Sequence, residues 1–162
     1  MDRAGLPDAD VAGMGLPAVR VASPTVRAPY DGTRLAVLRA DGSLAFDGFN
    51  AFAASPALIL RGTVQDALES AGLTVVAPTS SAHADATIET TVLRLALDCR
   101  RDGRRDAVVS LSLTLVDGRR VQATGRGEGR ESAMAGDYSS AFSRAFVKAV
   151  SEALAQLGTQ KQ

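Results

Sequence analysis

His83 is the only histidine in the chain and Cys99 the only cysteine, so the side chains that most often act as bases, nucleophiles or metal ligands are nearly absent. His83 sits in Ser80-Ser81-Ala82-His83-Ala84-Asp85, where Asp85 is too near and too unspecific to make a catalytic pair. Ser80, Ser81, Ser139 and Ser140 lie in no GxSxG elbow, and one histidine is all there is to activate any of them. A single cysteine excludes an internal disulfide, a cysteine-rich zinc site and a CxxC redox pair. Cys99 reads as a small buried hydrophobe at the end of a leucine-lined face. The expectation is a protein that is not an enzyme and needs no metal or cofactor.

Gly125-Arg126-Gly127-Glu128-Gly129 has the glycine density of a phosphate-cradling loop. No Lys-Ser or Lys-Thr follows it, however, and its spacing is GxGxG where the dinucleotide fingerprint needs GxGxxG. It reads first as a strand end with close backbone packing. A flexible edge or contact surface is the alternative, which makes Gly125 and Gly127 candidate interface residues.

Arg100, Arg101, Arg104 and Arg105 bracket the turn Asp102-Gly103, so a hairpin tip would present several guanidinium groups together. A solvated tip is the plain reading. Contact with a phospholipid headgroup or an acidic partner is the functional one, because guanidinium offers a planar donor fork to phosphate or carboxylate. Phe46, Phe49 and Phe52 place three of the five phenylalanines just before a helix start. They read either as a plug over that start or, if exposed, as an assembly surface. Tyr30, in Pro29-Tyr30-Asp31-Gly32, carries the same ambiguity.

The elements that must position these residues follow from punctuation and period. The chain of 162 residues suits one domain, and its 46% hydrophobic content supports a core. With only 4% aromatic residues and no Trp, that core is built mostly of Ala, Val and Leu. Eighteen basic residues balance eighteen acidic ones, so there is no general attraction for nucleic acid. No apolar run reaches about 18 residues, and the first ten residues lack the basic start and apolar stretch of a signal peptide.

Residues 1–17 read as a loose lead-in, residues 18–157 as the domain and 158–162 as a tail. Val19, Val21 and Val26 flank Ser23-Pro24, and Asp41-Gly42 separates Arg34 to Arg39 from Leu44 to Asp47 as a hairpin. Ser55-Pro56 marks a helix start, and Leu60, Val64, Ala67, Leu68 and Ala71 continue at spacings of three and four until Gly72. Leu73 to Val76 follows as a strand. Ala86 to Cys99 predicts a long strand with a bulge near Thr90 and Thr91, since Ile88 is out of phase with Leu93, Leu95 and Leu97. Two further strands continue an antiparallel meander through Asp102-Gly103 and Asp117-Gly118. A helix from about Asp137 to Leu157 carries a broad apolar stripe. The expected fold class is α+β, a mainly antiparallel sheet with two helices packed on one face.

Several of these pieces, in order, resemble the ABC-type transport auxiliary lipoproteins that accompany MCE-domain lipid transport systems. The resemblance is carried by Val19-Arg20-Val21 through Pro29-Tyr30, by Arg34 to Arg39 with Asp41-Gly42, and by Gly48-Phe49-Asn50-Ala51-Phe52-Ala53-Ala54-Ser55-Pro56. It continues through the closure Ala71-Gly72-Leu73-Thr74-Val75, the Ala84-Asp85 pair before the long strand and the Ala-rich last helix, over about residues 19 to 157. Phe52 stands where the family often has Trp. The resemblance implies a noncatalytic subunit that forms a docking surface or ring at the outer membrane, beside an MCE-domain protein and an ABC transporter moving phospholipid. It further implies a homo-oligomer, and a periplasmic, outer-membrane-associated lipoprotein whose N-terminal lipid anchor is absent from this chain. A cell-envelope assembly or peptidoglycan-synthesis accessory protein is the alternative with the same order of strands and helices.

Overall fold

The computed structural model describes residues 18–101, 103–133 and 136–159. The lead-in expected over residues 1–17 therefore lies outside the described residues. The chain forms β1 (Ala18–Val21), β2 (Thr25–Val26), β3 (Arg34–Leu38), β4 (Leu44–Ala51), α1 (Pro56–Ser70), β5 (Thr74–Val76), β6 (Ala86–Asp98), β7 (Asp106–Asp117), β8 (Arg120–Ser132) and α2 (Tyr138–Thr159).

Among the described residues all eight strands join one sheet, and β6 is its spine. Along one side of β6 lie β1, β2 and β3 in succession, with Val21 beside Ile88, Val26 beside Val92 and Leu38 beside Asp98. They act as one long strand broken by the turns at Ser23-Pro24 and Pro29-Tyr30. β4 pairs with β3 and β5 with β1, so both occupy the outer column. On the other side, β7 and β8 complete the meander expected from the two Asp-Gly turns.

The expectation of a mainly antiparallel sheet is corrected. Four strand pairings among the described residues are parallel (β1 with β5, and β1, β2 and β3 with β6), against three antiparallel ones. The reason is local: a tight turn announces an antiparallel neighbour, whereas a parallel neighbour arrives through a long connection that leaves no mark in the nearby residues. The bulge in β6 also sits later than expected, between Val92 and Arg94. It changes the phase of burial, so Ile88, Thr90 and Val92 face the core before it and Leu95 and Leu97 after it.

α1 starts as the sequence requires. The Ser55 hydroxyl accepts from the Leu58 N–H at 3.3 Å, Pro56 occupies the first helical position, and Gly72 follows the end with φ of +88°. Leu60, Val64 and Leu68 of α1 and Phe146, Val150 and Leu157 of α2 bury against Val19, Ile88, Leu95, Leu111 and Leu113 of the sheet.

The contact between α2 and β8 is closer than side chains normally permit. A Cβ on Gly125, Gly127 or Gly129 would fall within about 2 Å of the carbonyl oxygens of Ala153, Ala149 and Ala145 respectively. The periods match: two strand residues advance about 6.6 Å and four helix residues about 6 Å, so every second glycine meets every fourth alanine. On the same spacing the backbone N–H groups of Arg126 and Glu128 donate to Gln156 Oε1 and Glu152 Oε2, both at 2.8 Å. α2 thus closes the outer edge of β8.

Candidate interaction surface

The opposite edge of the sheet is formed by β4 and β5, and among the described residues no further strand pairs with β4. Opposite Arg34 and Ala36 of β3 stand Ala51 and Phe46 of β4, so the four residues from Asp47 to Asn50 are matched by Leu35 alone. The Asp47 carboxylate shapes this bulge, accepting from the N–H groups of Phe49 at 2.7 Å and Asn50 at 2.9 Å and from the Asn50 amide at 3.1 Å. Those donors hold its carboxyl below the ordinary aspartate range. The result is that Phe49 is lifted entirely into solvent, at 101% exposure. Leu44 and Phe46 are also exposed on this strand, and the Arg34 guanidinium lies over the Phe46 ring at 4.8 Å.

Phe52, three residues on, turns inward. Its ring meets Phe142 edge to face, with centroids 5.3 Å apart and planes at 73°. Leu35, Phe52, Ile59, Phe142 and Phe146 form the apolar walls of a cavity of about 420 Å³, and Asn50, Asp137, Ser139 and Ser143 also line it. Asp137 caps α2 by accepting from the Ser140 N–H at 3.2 Å, and the Ser140 side chain, with this N–H, holds its carboxyl below the ordinary aspartate range. Tyr138 lines the cavity as well, and its hydroxyl accepts from Arg105 Nη1 at 3.1 Å, tying the β6–β7 hairpin to the start of α2.

The three phenylalanines offered by the sequence are therefore divided: Phe52 packs, while Phe46 and Phe49 are presented. Tyr30 is half-buried against the core. Gly125 and Gly127 are covered by α2 of their own chain. The four hairpin arginines are divided too. Arg100 donates through Nε and Nη2 to both carboxylate oxygens of Asp98, at 3.0 and 2.9 Å, and Arg105 is bonded to Tyr138. Arg101 and Arg104 stay exposed and bond to no other described side chain.

Composition and spacing did not reveal the charge cluster behind that hairpin. Asp98 and Asp106 stand directly opposite each other on β6 and β7, both buried, an arrangement of like charges that is unfavourable alone. Arg130 on β8 resolves it, reaching Asp98 Oδ2 and Asp106 Oδ2 at 3.2 Å. Hydrogen bonds from Arg100 outweigh burial and hold the Asp98 carboxyl far below its usual range. Arg20 is a second unforeseen anchor: its guanidinium donates to the carbonyls of Ala77, Pro78, Ser80 and Ala82 and organises the loop before β6. A lone Arg20 between two valines carries no sequence signal for that role.

His83 is exposed, 3.5 Å from Asp85, whose other oxygen accepts from the Ala18 N–H. Burial pushes the Cys99 thiol pKa up, away from a reactive thiolate. Among the described residues no group of three His, Cys, Asp or Glu side chains could hold a metal ion.

The model of the ABC-type transport auxiliary lipoprotein component matches residues 4–160, almost the entire chain. The chain belongs to that family. An ABC-type transport auxiliary lipoprotein is a noncatalytic component, and lipoprotein membership implies a place outside the cytoplasm. Among the described residues no helix is long and apolar enough to cross a membrane. No curated protein matches the chain. Among solved structures, the chain is similar to protein XCC0632 from Xanthomonas campestris, with a TM-score of 0.69, 20% identity and coverage of 89% of this chain and 86% of that one. It is also similar to the PelC dodecamer from Paraburkholderia phytofirmans, with a TM-score of 0.53, 14% identity and 88% of each chain covered. Both likenesses show the fold.

Proposed function

We propose that the protein is a noncatalytic auxiliary subunit of an MCE/ABC phospholipid transport system, acting as a homo-oligomer at the periplasmic side of the outer membrane. The observation that carries this reading is the family match over residues 4–160. The surface supports it: one sheet edge is sealed by Glu152 and Gln156 while the other presents Leu44, Phe46 and Phe49, the pattern of a protein that docks on one side. A PelC dodecamer on the same fold supports self-association. Arg101 and Arg104, exposed at the hairpin, supply cations for a phospholipid headgroup or an acidic partner. Transport energy comes from the ATPase, and a lipid anchor at the precursor's N-terminus holds the subunit at the membrane.

The test is co-purification with an MCE-domain protein of the same organism, followed by sedimentation of the isolated chain over a concentration series. Stable association and a discrete oligomer are expected. Association with a cell-wall synthase in place of the MCE protein would move the assignment to the envelope-assembly alternative.

A further inference from the structure

Phe49 and the cavity beside α2 are a projection and a recess on one molecule. We infer that Phe49 of one copy seats in the Leu35–Phe52–Phe142 cavity of the next copy, forming the repeated contact of the oligomer. This rests on the homo-oligomeric reading above and names the surface that builds it.

Phe49 is held out by the Asp47 bonds and is wholly exposed, so it does not fill its own chain's cavity. Asn50, the next residue, does line that cavity. The Asp47 bulge sets Phe49 in solvent while Asn50, Ala51 and Phe52 after it line the recess, so the projection lies outside the recess of its own chain. Such a pair cannot satisfy itself within one chain, and between chains it joins head to tail, the arrangement that closes into rings. The recess suits a phenyl ring: it has a volume of about 420 Å³, and the Phe52–Phe142 pair offers ring faces and edges.

Charge agrees with this pairing. Arg34, on the Phe46 side of the projection, makes no ion pair among the described residues, and its guanidinium lies over an exposed ring. Asp137, at the recess, is an exposed carboxylate bonded only at Ser140 among the described residues. Seating Phe49 brings a cation-bearing surface toward an anion-bearing one. A continuous sheet from copy to copy through β4 and β8 is not available, because α2 side chains occupy the β8 N–H groups.

The experiment uses the full chain and two variants, Phe49→Ser, which removes the projection, and Ser143→Phe, which fills the recess. Both positions are exposed, and unchanged thermal melts establish that both variants fold. In sedimentation velocity the wild type forms a discrete oligomer, each variant alone falls to the 16.7 kDa monomer, and an equal mixture forms a two-copy species without larger rings. That mixture forms because one variant retains the recess and the other the projection. A wild-type oligomer that Phe49→Ser leaves intact overturns this contact while the homo-oligomeric reading stands. Variants that stay monomeric when mixed also overturn it. A wild type that is monomeric throughout overturns both.

Discussion

A Cβ placed on Gly127 would lie 1.8 Å from the carbonyl oxygen of Ala149, so this strand and this helix meet backbone to backbone. No rotamer relieves such a clash, because the obstructing atom belongs to the helix ladder. Gly127→Ala is expected to cost about 3 kcal/mol or more, through displacement of α2. Gly62→Ala, in an exposed turn of α1 with nothing within 4 Å of the added Cβ, is expected to stabilise by about 0.5–1 kcal/mol. Urea denaturation of the two variants checks both signs, and equal effects would sink the account.

Arg130 separates two carboxylates that would otherwise face each other. Arg130→Met should destabilise by about 2 kcal/mol, below the range for fully buried pairs because Arg130 is 34% exposed. The pH dependence has a definite sign. The folded pKa of Asp98 is depressed, so its contribution is fully present above the unfolded aspartate value of about 4 and is lost as pH falls below it. Wild-type stability should therefore drop between about pH 5 and pH 2, and because Arg100 supplies the larger share of the depression, with Arg130 a smaller one, Arg130→Met should flatten that drop only in part. Parallel pH profiles in denaturant melts would contradict the assignment.

The Thr90 hydroxyl is buried on the core face of β6 and has no hydrogen-bond partner among the described residues. Thr90→Val replaces that hydroxyl by a methyl of similar shape and should stabilise by about 1 kcal/mol. A lower melting temperature for the variant would show that the hydroxyl is satisfied.

Glu152 and Gln156 occupy the outward N–H groups of Glu128 and Arg126. Removing both acceptors with Glu152→Ala and Gln156→Ala reopens a 13-residue edge strand. The double variant is expected to aggregate faster on heating, read by light scattering, while Glu152→Gln, which keeps an acceptor, should behave as the wild type.

Much of the architecture was legible because its signals are local. The Ser55-Pro56 cap, the alanine stripe of α2, the Asp-Gly turns and the alternation in β7 each act within a few residues. The glycine run reads as close packing at a strand end; it does pack closely, against the α2 backbone, but it lies in the interior of β8, because the strand continues through Glu131 and Ser132. The bulge in β6 was misplaced, because its phase change is visible only through the buried Thr90 and Val92.

What the sequence determined by itself was element type, the meander, the small-residue core and the lack of a catalytic constellation. Tertiary structure decided the rest: the parallel column of β1, β2 and β3 on β6, the Asp98–Asp106–Arg130 cluster, the four carbonyls around Arg20 and the division of Phe49 from Phe52. The physical reason is range. Caps, turns and periodicity are set by neighbours in sequence, whereas pairing between distant strands and the exposure of one phenylalanine among three depend on which surfaces meet after the chain has folded.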